Sequence, residues 1–194
     1  TNLALFSNFT YFLDDPVNGD QFSQVDKRFQ SAMNLSHLWV NRIGGLEVEN
    51  TAGIQFQNDV IDNGLLSTKQ RQTLSTTRKD HINQNSVGLY YQNSIQWLEK
   101  FRSVAGVRSD YYWFDVSSHQ AVNSGKRYDS ITNPKISLIF GPWAQTEFYF
   151  NYGGGFHSND ARGTTTTVDP KSGDPVNRVN PLVRSTGYEV GVTP

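Results

Sequence analysis

The stretch LEVENTAGIQFQ, residues 46–57, alternates apolar and polar side chains almost one for one. In an extended chain the apolar side chains fall on one face, which only Asn50 interrupts. Alternation with a period of two indicates a β-strand that separates two different environments. A strand of about ten residues with one apolar and one polar face is typical of a transmembrane β-barrel.

The same alternation recurs along the chain and predicts eight strands. We expect them at about 2–13, 28–43, 46–57, 87–97, 101–116, 131–140, 146–156 and 182–192. Short turns at 44–45, 99–100 and 141–143 alternate with long polar loops at 14–20, 58–85, 117–130 and 157–180. For 58–85, a short extra hairpin within the loop is the alternative. Strands joined in this way are antiparallel, and in outer-membrane barrels the short turns are periplasmic and the long loops extracellular.

The composition agrees with this all-β prediction. Of the 194 residues, 36% are hydrophobic and 13% aromatic, which suits a wall that carries aromatic girdles at the membrane surfaces. The net charge of −1 gives no support for a nucleic-acid surface, and the absence of cysteine excludes disulfides and thiol catalysis. The sequence therefore predicts an antiparallel transmembrane β-barrel segment of about eight strands.

Charged residues on the predicted strands fall on the polar faces. A charge that faces lipid near the membrane centre costs about 2–4 kcal/mol, so we expect these side chains to line the lumen. They are Glu47, Glu49, Arg102, Arg108, Asp110, Glu147 and Glu189. A soluble β-sandwich with polar faces toward water is the alternative, and the connection lengths and aromatic content favour the barrel.

Two sequence stretches resemble a known family. NYGGGFHSNDARG, residues 151–163, is followed by PLVRSTGYEVG, residues 181–191, and this combination resembles the barrel domain of TonB-dependent outer-membrane receptors. Residues 105–111 and 130–142 also look like strands of that family. Residues 101–191 carry most of the resemblance.

The resemblance implies a parent barrel of about 22 strands around an N-terminal plug domain. With about eight strands and no plug-like segment, residues 1–194 are expected to be a partial barrel. The implied partners are its own plug domain and the rest of the barrel, TonB, outer-membrane lipid and an extracellular small-molecule ligand, with no nucleic acid. The implied location is the outer membrane of a Gram-negative bacterium.

The function implied by the resemblance is active import of a scarce bulky nutrient, such as a ferric siderophore or a cobalamin-like compound. Two alternatives stay open at this stage. One is a small passive barrel or porin, and the other is a soluble all-β binding module. None of these readings makes the protein an enzyme or requires a cofactor.

The polar residues after the predicted seventh strand include types that occur in catalytic and ligand-binding sites. Adjacent strand residues point to opposite sides, so His157 and Ser158 do not suit a catalytic pair, and we expect no catalytic residues. The first interpretation is structural: His157, Asn159 and Asp160 form hydrogen bonds at the loop base, and Arg162 pairs with Asp160 or with lumen carboxylates. Ligand contact by these four residues is the second interpretation. The histidines lack metal-ligand spacing, and the glycine run 153–155 indicates a kink or close packing.

Overall fold

A computed structural model describes residues 1–194 as one antiparallel sheet of eight strands. The strands lie side by side in chain order, and each pairs with the next. They are β1 Asn2–Ser7, β2 Phe22–Ile43, β3 Leu46–Lys69, β4 Gln72–Leu98, β5 Phe101–Ser118, β6 Gly125–Trp143, β7 Thr146–Ser158 and β8 Leu182–Thr193. The eight predicted strands and their antiparallel order are confirmed.

Two short helical segments lie outside the sheet. A 3₁₀ turn covers Ala121–Asn123 between β5 and β6, and the helix α1 covers Ala161–Thr165 between β7 and β8. Neither segment has the length or apolar character that a membrane-crossing helix requires.

The edges of the sheet are β1 and β8, and no ladder joins them. The eight strands therefore do not close into a barrel by themselves. A β-sandwich would need two packed sheets, so the single sheet excludes that alternative. The fold is a curved wall segment: Tyr112 of β5 contacts Phe156 of β7 across β6, on the polar side of the sheet.

The prediction of a long loop over residues 58–85 is wrong. This segment continues β3 and β4 as one hairpin, whose turn is Gln70–Arg71 with positive φ at both residues. Asn58 bonds Asn83 and Asn85 on the neighbouring strand. Polar side chains occur here on the face that is apolar in residues 46–57. The alternation of apolar and polar side chains is therefore lost while the backbone pairing of β3 with β4 continues.

Other boundaries also differ from the predictions. Strand β1 ends at Ser7 rather than near residue 13, while β2 begins at Phe22 and β6 at Gly125, ahead of the predicted 28 and 131. β2 and β6 begin early because backbone pairing with a neighbouring strand continues through polar sequence. Apolar and polar side chains do not alternate there, so the pattern does not predict these two strand starts.

The two faces of the sheet differ in polarity as the sequence predicts. One face exposes large apolar side chains along its whole width, and we call it the apolar face. Its exposed members include Leu35, Leu89, Tyr91, Val107, Tyr111, Ile136, Phe148 and Val190. The opposite, polar face carries the seven charged residues predicted to line a lumen, together with the buried core.

The buried core is small and lies near the loop end of the polar face. It consists of Ala161 of α1 packed with four side chains of the sheet. These are Ile61 of β3, Ile82 of β4, and Phe114 and Val116 of β5. Because Ala161 belongs to the β7–β8 connection, this core attaches that connection to the middle of the sheet.

Replacing Phe114 with alanine should destabilise the protein through this core. Phe114 is 1% exposed, and removing a buried phenyl ring costs about 3–5 kcal/mol. Urea unfolding in detergent micelles, followed by circular dichroism, measures the loss. Phe29→Ala is the matched control, because Phe29 is 67% exposed on the apolar face, and it should cost about 0.5 kcal/mol or less. Equal losses in the two variants would contradict this assignment of the core.

Candidate functional site

The seven charged residues predicted to line a lumen share the polar face. Strand register aligns Glu47 with Gln96 and Gln96 with Arg102, while Tyr149 donates to Glu189 at 3.1 Å. Glu49 lies two residues along β3 from Glu47, and Glu147 two residues along β7 from Tyr149. That this face surrounds a lumen and contacts a plug remains a prediction.

Arg108 and Asp110 form the most connected group on the wall. Arg108 donates to both carboxylate oxygens of Asp110, with Nε–Oδ2 at 2.8 Å and Nη2–Oδ1 at 2.7 Å. Its Nη1 also donates to Gln55 Oε1 at 2.6 Å. Asp110 is only 2% exposed, so this bidentate pair stabilises a charge that would otherwise be buried alone.

The connection between β7 and β8 folds back across the polar face at the loop end. Its base is closed by Asn159, whose backbone N–H donates to Pro181 O at 2.8 Å and whose Nδ2 donates to Asn180 O at 2.7 Å. Beyond it, Thr164 and Thr165 are buried together with Ala161. The connection is therefore docked on the wall over part of its length.

Asn123, in the 3₁₀ turn, holds the far side of this connection. This residue is 1% exposed. Its Oδ1 accepts hydrogen bonds from the backbone N–H groups of Thr167 at 2.9 Å and Val168 at 3.0 Å. Its Nδ2 donates to the backbone oxygen of Val168 at 2.8 Å. Sequence reasoning did not single out Asn123, because nothing local to residues 121–123 indicates a contact with residues 167–168.

Asp160 and Arg162 form the ion pair at the start of α1. Asp160 accepts from the backbone N–H of Arg162 at 2.9 Å and from its Nε at 3.0 Å, while Arg162 Nη1 donates to Asn63 Oδ1 at 3.2 Å. Burial would raise the pKa of Asp160, but the hydrogen bonds and charge of Arg162 outweigh burial and hold that pKa below its ordinary value. Arg162 thus connects the helix to the wall.

His157 does not join this group. Its neighbour Phe156 contacts Tyr112 on the polar face, so the His157 side chain points to the opposite side, where it is exposed. Of the four loop-end candidates, the structure brings Asn159, Asp160 and Arg162 to one cavity and leaves His157 outside it.

Two cavities lie beneath α1 on the polar face, with volumes of about 280 and 570 Å³. Four side chains line both cavities and form the partition between the two: Asp26, Asn63, Asp160 and Arg162. A third cavity, of about 390 Å³, lies elsewhere on the polar face, beside Arg108, Asn133 and Lys135.

The glycine run in β7 lies beside this third cavity. A Cβ atom at Gly154 would come within 2.8 Å of Asn133 Oδ1, a separation that real Cβ atoms do not show. The residue at 154 is thus limited to glycine by close packing against β6, and the run has no phosphate-binding context of a strand followed by a long helix.

The loop end contains a repeated turn that the strand pattern does not predict. The pattern D-P-x-x-G-D occurs at residues 15–20 and again at 169–174, and the two turns share the same hydrogen bonds. Asp15 and Asp169 each accept from the backbone N–H groups two and three residues later, and the glycines at 19 and 173 have φ of +82° and +79°. Because the pattern occurs twice in the sequence, its repetition is the feature from which the two turns could be predicted.

The two turns also touch. Lys171 Nζ lies 3.3 Å from Asp14 Oδ2, which joins the β7–β8 connection to the β1–β2 connection. The pKa of Asp169 is lowered because the backbone N–H groups of Ser172 and Lys171 donate to its carboxylate. The loop end is therefore an ordered cover assembled from two connections.

Comparison with known proteins gives one family and a shared fold. The sequence model described as TonB dependent receptor-like, beta-barrel, matches residues 1–193. The ferric citrate transporter FecA in its unliganded form superposes with a TM-score of 0.61 at 13% identity, covering 70% of this chain and 21% of FecA. BauA, the ferric preacinetobactin receptor of Acinetobacter baumannii, gives a TM-score of 0.69 at 13% identity, covering 90% and 27%.

The chain thus spans about a quarter of the length of these two solved structures. Comparison with curated protein sequences gives no match.

Docking of the β7–β8 connection should depend on the charge of Asp160. Because the folded pKa of Asp160 is lowered, its contribution is present above the ordinary value of 3.8 and is lost as pH falls through the lower folded value. Hydrogen-exchange protection of the Val179 N–H, which donates to Gly163 O at 3.0 Å, should therefore hold down to about pH 4 and fall below it.

Asp160→Asn is the control for this titration, since asparagine does not ionise. The variant should show lower protection at pH 7 and should lack the part of the acid transition that Asp160 contributes. If the two proteins have identical protection factors from pH 3 to pH 7, the ion pair does not hold the connection.

Proposed function

Because the chain belongs to the TonB-dependent receptor-like β-barrel family, we propose that residues 1–194 are part of the wall of a larger receptor barrel. The receptor lies in the outer membrane of a Gram-negative bacterium and imports a scarce bulky nutrient by active transport. Its own plug domain fills the lumen, and TonB supplies the coupling to energy. This chain contributes part of the barrel wall, contacts with the plug domain and part of the surface that faces the ligand.

The observation that carries this proposal is the opposite character of the two faces over eight consecutive strands. An apolar face that exposes side chains from β2 to β8 suits contact with lipid, and a polar face with seven charged residues suits an aqueous or protein-filled lumen. The open edges at β1 and β8 then pair with further strands of the same barrel.

Ligand contact is assigned to the loop end. Asn159, Asp160 and Arg162 line cavities there, beneath a connection that lies over the polar face. The wall charges farther down, including Arg108 and Asp110, are assigned to the plug. His157, which points to the other side, keeps no role in ligand contact in this proposal.

A ferric chelate is the favoured nutrient. The two solved structures of the same fold are named for ferric citrate and ferric preacinetobactin, and both names describe chelated iron. A cobalamin-like compound is the second choice within the same mechanism. A small passive barrel formed by this chain alone is disfavoured, because β1 and β8 do not pair.

Uptake by whole cells tests the proposal. A strain that lacks the gene should lose uptake of one iron-55-loaded siderophore from a panel, and a strain that lacks TonB should lose the same uptake. Complementation with Arg162→Ala should lower uptake at limiting ligand by about tenfold, the effect expected for one lost charge-assisted contact.

Lys126→Ala is the matched control for this variant. Lys126 pairs with Asp115 on the apolar face, so its loss should leave uptake unchanged. Unchanged uptake of every ferric chelate and of cobalamin in the deletion strain would contradict active import, as would uptake that persists without TonB.

The size of the native protein tests the partial-barrel proposal separately. An immunoblot of fractionated cells, with antibody raised to this chain, should give a band much heavier than 21.9 kDa in the outer-membrane fraction. A band near 21.9 kDa in that fraction would instead support a small self-contained barrel, and the same band in a soluble fraction would contradict any membrane role.

A further inference from the structure

The corner of the polar face at β1 carries apolar side chains. Leu5 of β1 pairs in register with Gln24 of β2, which pairs on its other side with Leu65 of β3. Leu3 lies two residues before Leu5, so it points to the same side of the strand. These leucines line the larger cavity beneath α1, and Leu3 and Leu5 are exposed there. A group of exposed apolar side chains on an otherwise polar surface is typical of a binding site.

A further cavity continues this apolar surface under the β1–β2 connection. Its volume is about 570 Å³, and Gln24 and Leu65 line both this cavity and the larger one beneath α1, so the two adjoin. It adds two aromatic rings, Phe9 and Phe22, whose centroids lie 6.0 Å apart. We call the two cavities together the corner groove. Each of them has a volume within the range of about 300–1,000 Å³ that is typical of small-ligand sites.

The charged residues that line the corner groove leave no cation in excess. Its three cations are Arg78, Arg162 and Lys171. Each of these cations already pairs with an aspartate, namely Asp80, Asp160 and Asp14 in the same order. The lining aspartates are Asp14, Asp15, Asp20, Asp26 and Asp160. Since aspartates outnumber cations, the groove repels a ligand that carries several negative charges.

Neighbouring groups do not reverse this balance. Backbone N–H groups of the surrounding turn donate to the carboxylates of Asp15 and Asp20 and hold the pKa of both below its ordinary value, so both stay charged at neutral pH. Two further cations lie nearby without lining the groove. Lys69 is bound to the β1–β2 turn, and Arg71 lies over the ring of Phe6, on the other side of β1.

We propose that the corner groove binds an aromatic ring of an uncharged chelate and selects against polyanionic chelates such as ferric citrate. The inference rests on the proposed function and names the chemical class of its ligand. The ring packs against Leu5, Phe9 and Leu65, and Arg162, held by Asp160, donates to an uncharged oxygen of the same molecule.

Equilibrium dialysis of the intact receptor, purified in dodecyl maltoside, tests the proposal, with detergent alone as the blank. The probes are the tris-benzohydroxamate and tris-acetohydroxamate complexes of chromium(III). Three hydroxamate anions balance the metal charge, so both complexes are neutral, and the first carries phenyl groups where the second carries methyl groups. We expect the phenyl complex to bind about tenfold more tightly or better, the effect of burying one aromatic ring. Ferric citrate should not bind.

Phe9→Ala should weaken binding of the phenyl complex by about fivefold or more, because the ring then loses one wall of the groove. Phe9 is 79% exposed, so its removal should not affect folding. Phe12→Ala is the matched control. Phe12 belongs to the same connection, is 58% exposed and does not line the groove, so binding should stay unchanged. Leu5→Asn, on β1, is a second variant that should also weaken binding.

Equal affinity for the two hydroxamate complexes would overturn the proposal, as would binding of ferric citrate or equal losses in Phe9→Ala and Phe12→Ala. If another segment of the longer receptor fills the groove, the intact receptor will bind neither complex, which also overturns it.

Whole-cell uptake separates this failure from failure of the proposed function. If the purified receptor shows no preference for the phenyl complex but deletion of the gene abolishes uptake of a ferric chelate, the groove assignment falls and the function stands. If the deletion leaves every uptake unchanged, both are rejected.

Discussion

Each strand of this protein separates an apolar surface from a polar one, and the remaining structure depends on that separation. Backbone groups that are withdrawn from water must be paired, and the ladders from β1 to β8 pair them on both sides of every inner strand. Side chains such as Leu89 and Arg108 can then occupy opposite faces of the same sheet. A register slip of one residue would reverse both, so the register is fixed by the polarity of the side chains.

The constraint relaxes toward the loop end, and the site develops there. In the part of β3 and β4 beyond residue 57, both faces carry polar groups, as at Asn58 and Asp59. The polar face gains its own small apolar core, which Ala161 of α1 covers. Covering the curved wall with one short helix leaves cavities on either side of Arg162.

Local sequence predicted much of this architecture. The alternation in residues 46–57 and the turn at Gly44–Gly45 indicated a hairpin that the structure contains. The strand register places the seven charged residues on one face, and their position in a lumen stays a prediction. The full extent of the hairpin at 58–85 was not predicted, because its strands carry polar residues on both faces and resemble a loop in composition. Within the loops, the repeated D-P-x-x-G-D pattern was readable from sequence, since an aspartate followed by proline and glycine favours such a turn.

The sequence by itself therefore determined the strand order, the two faces and the end at which the long connections lie, because each follows from alternation and turn chemistry within a few residues. Tertiary packing alone brings Arg162 to Asn63, 99 positions away, and Asn123 to the backbone of Thr167 and Val168. Those facts depend on how a curved sheet brings β3 under the β7–β8 connection. Contacts between distant positions leave no periodic signal in the chain, so the geometry of the site follows from packing rather than from pattern.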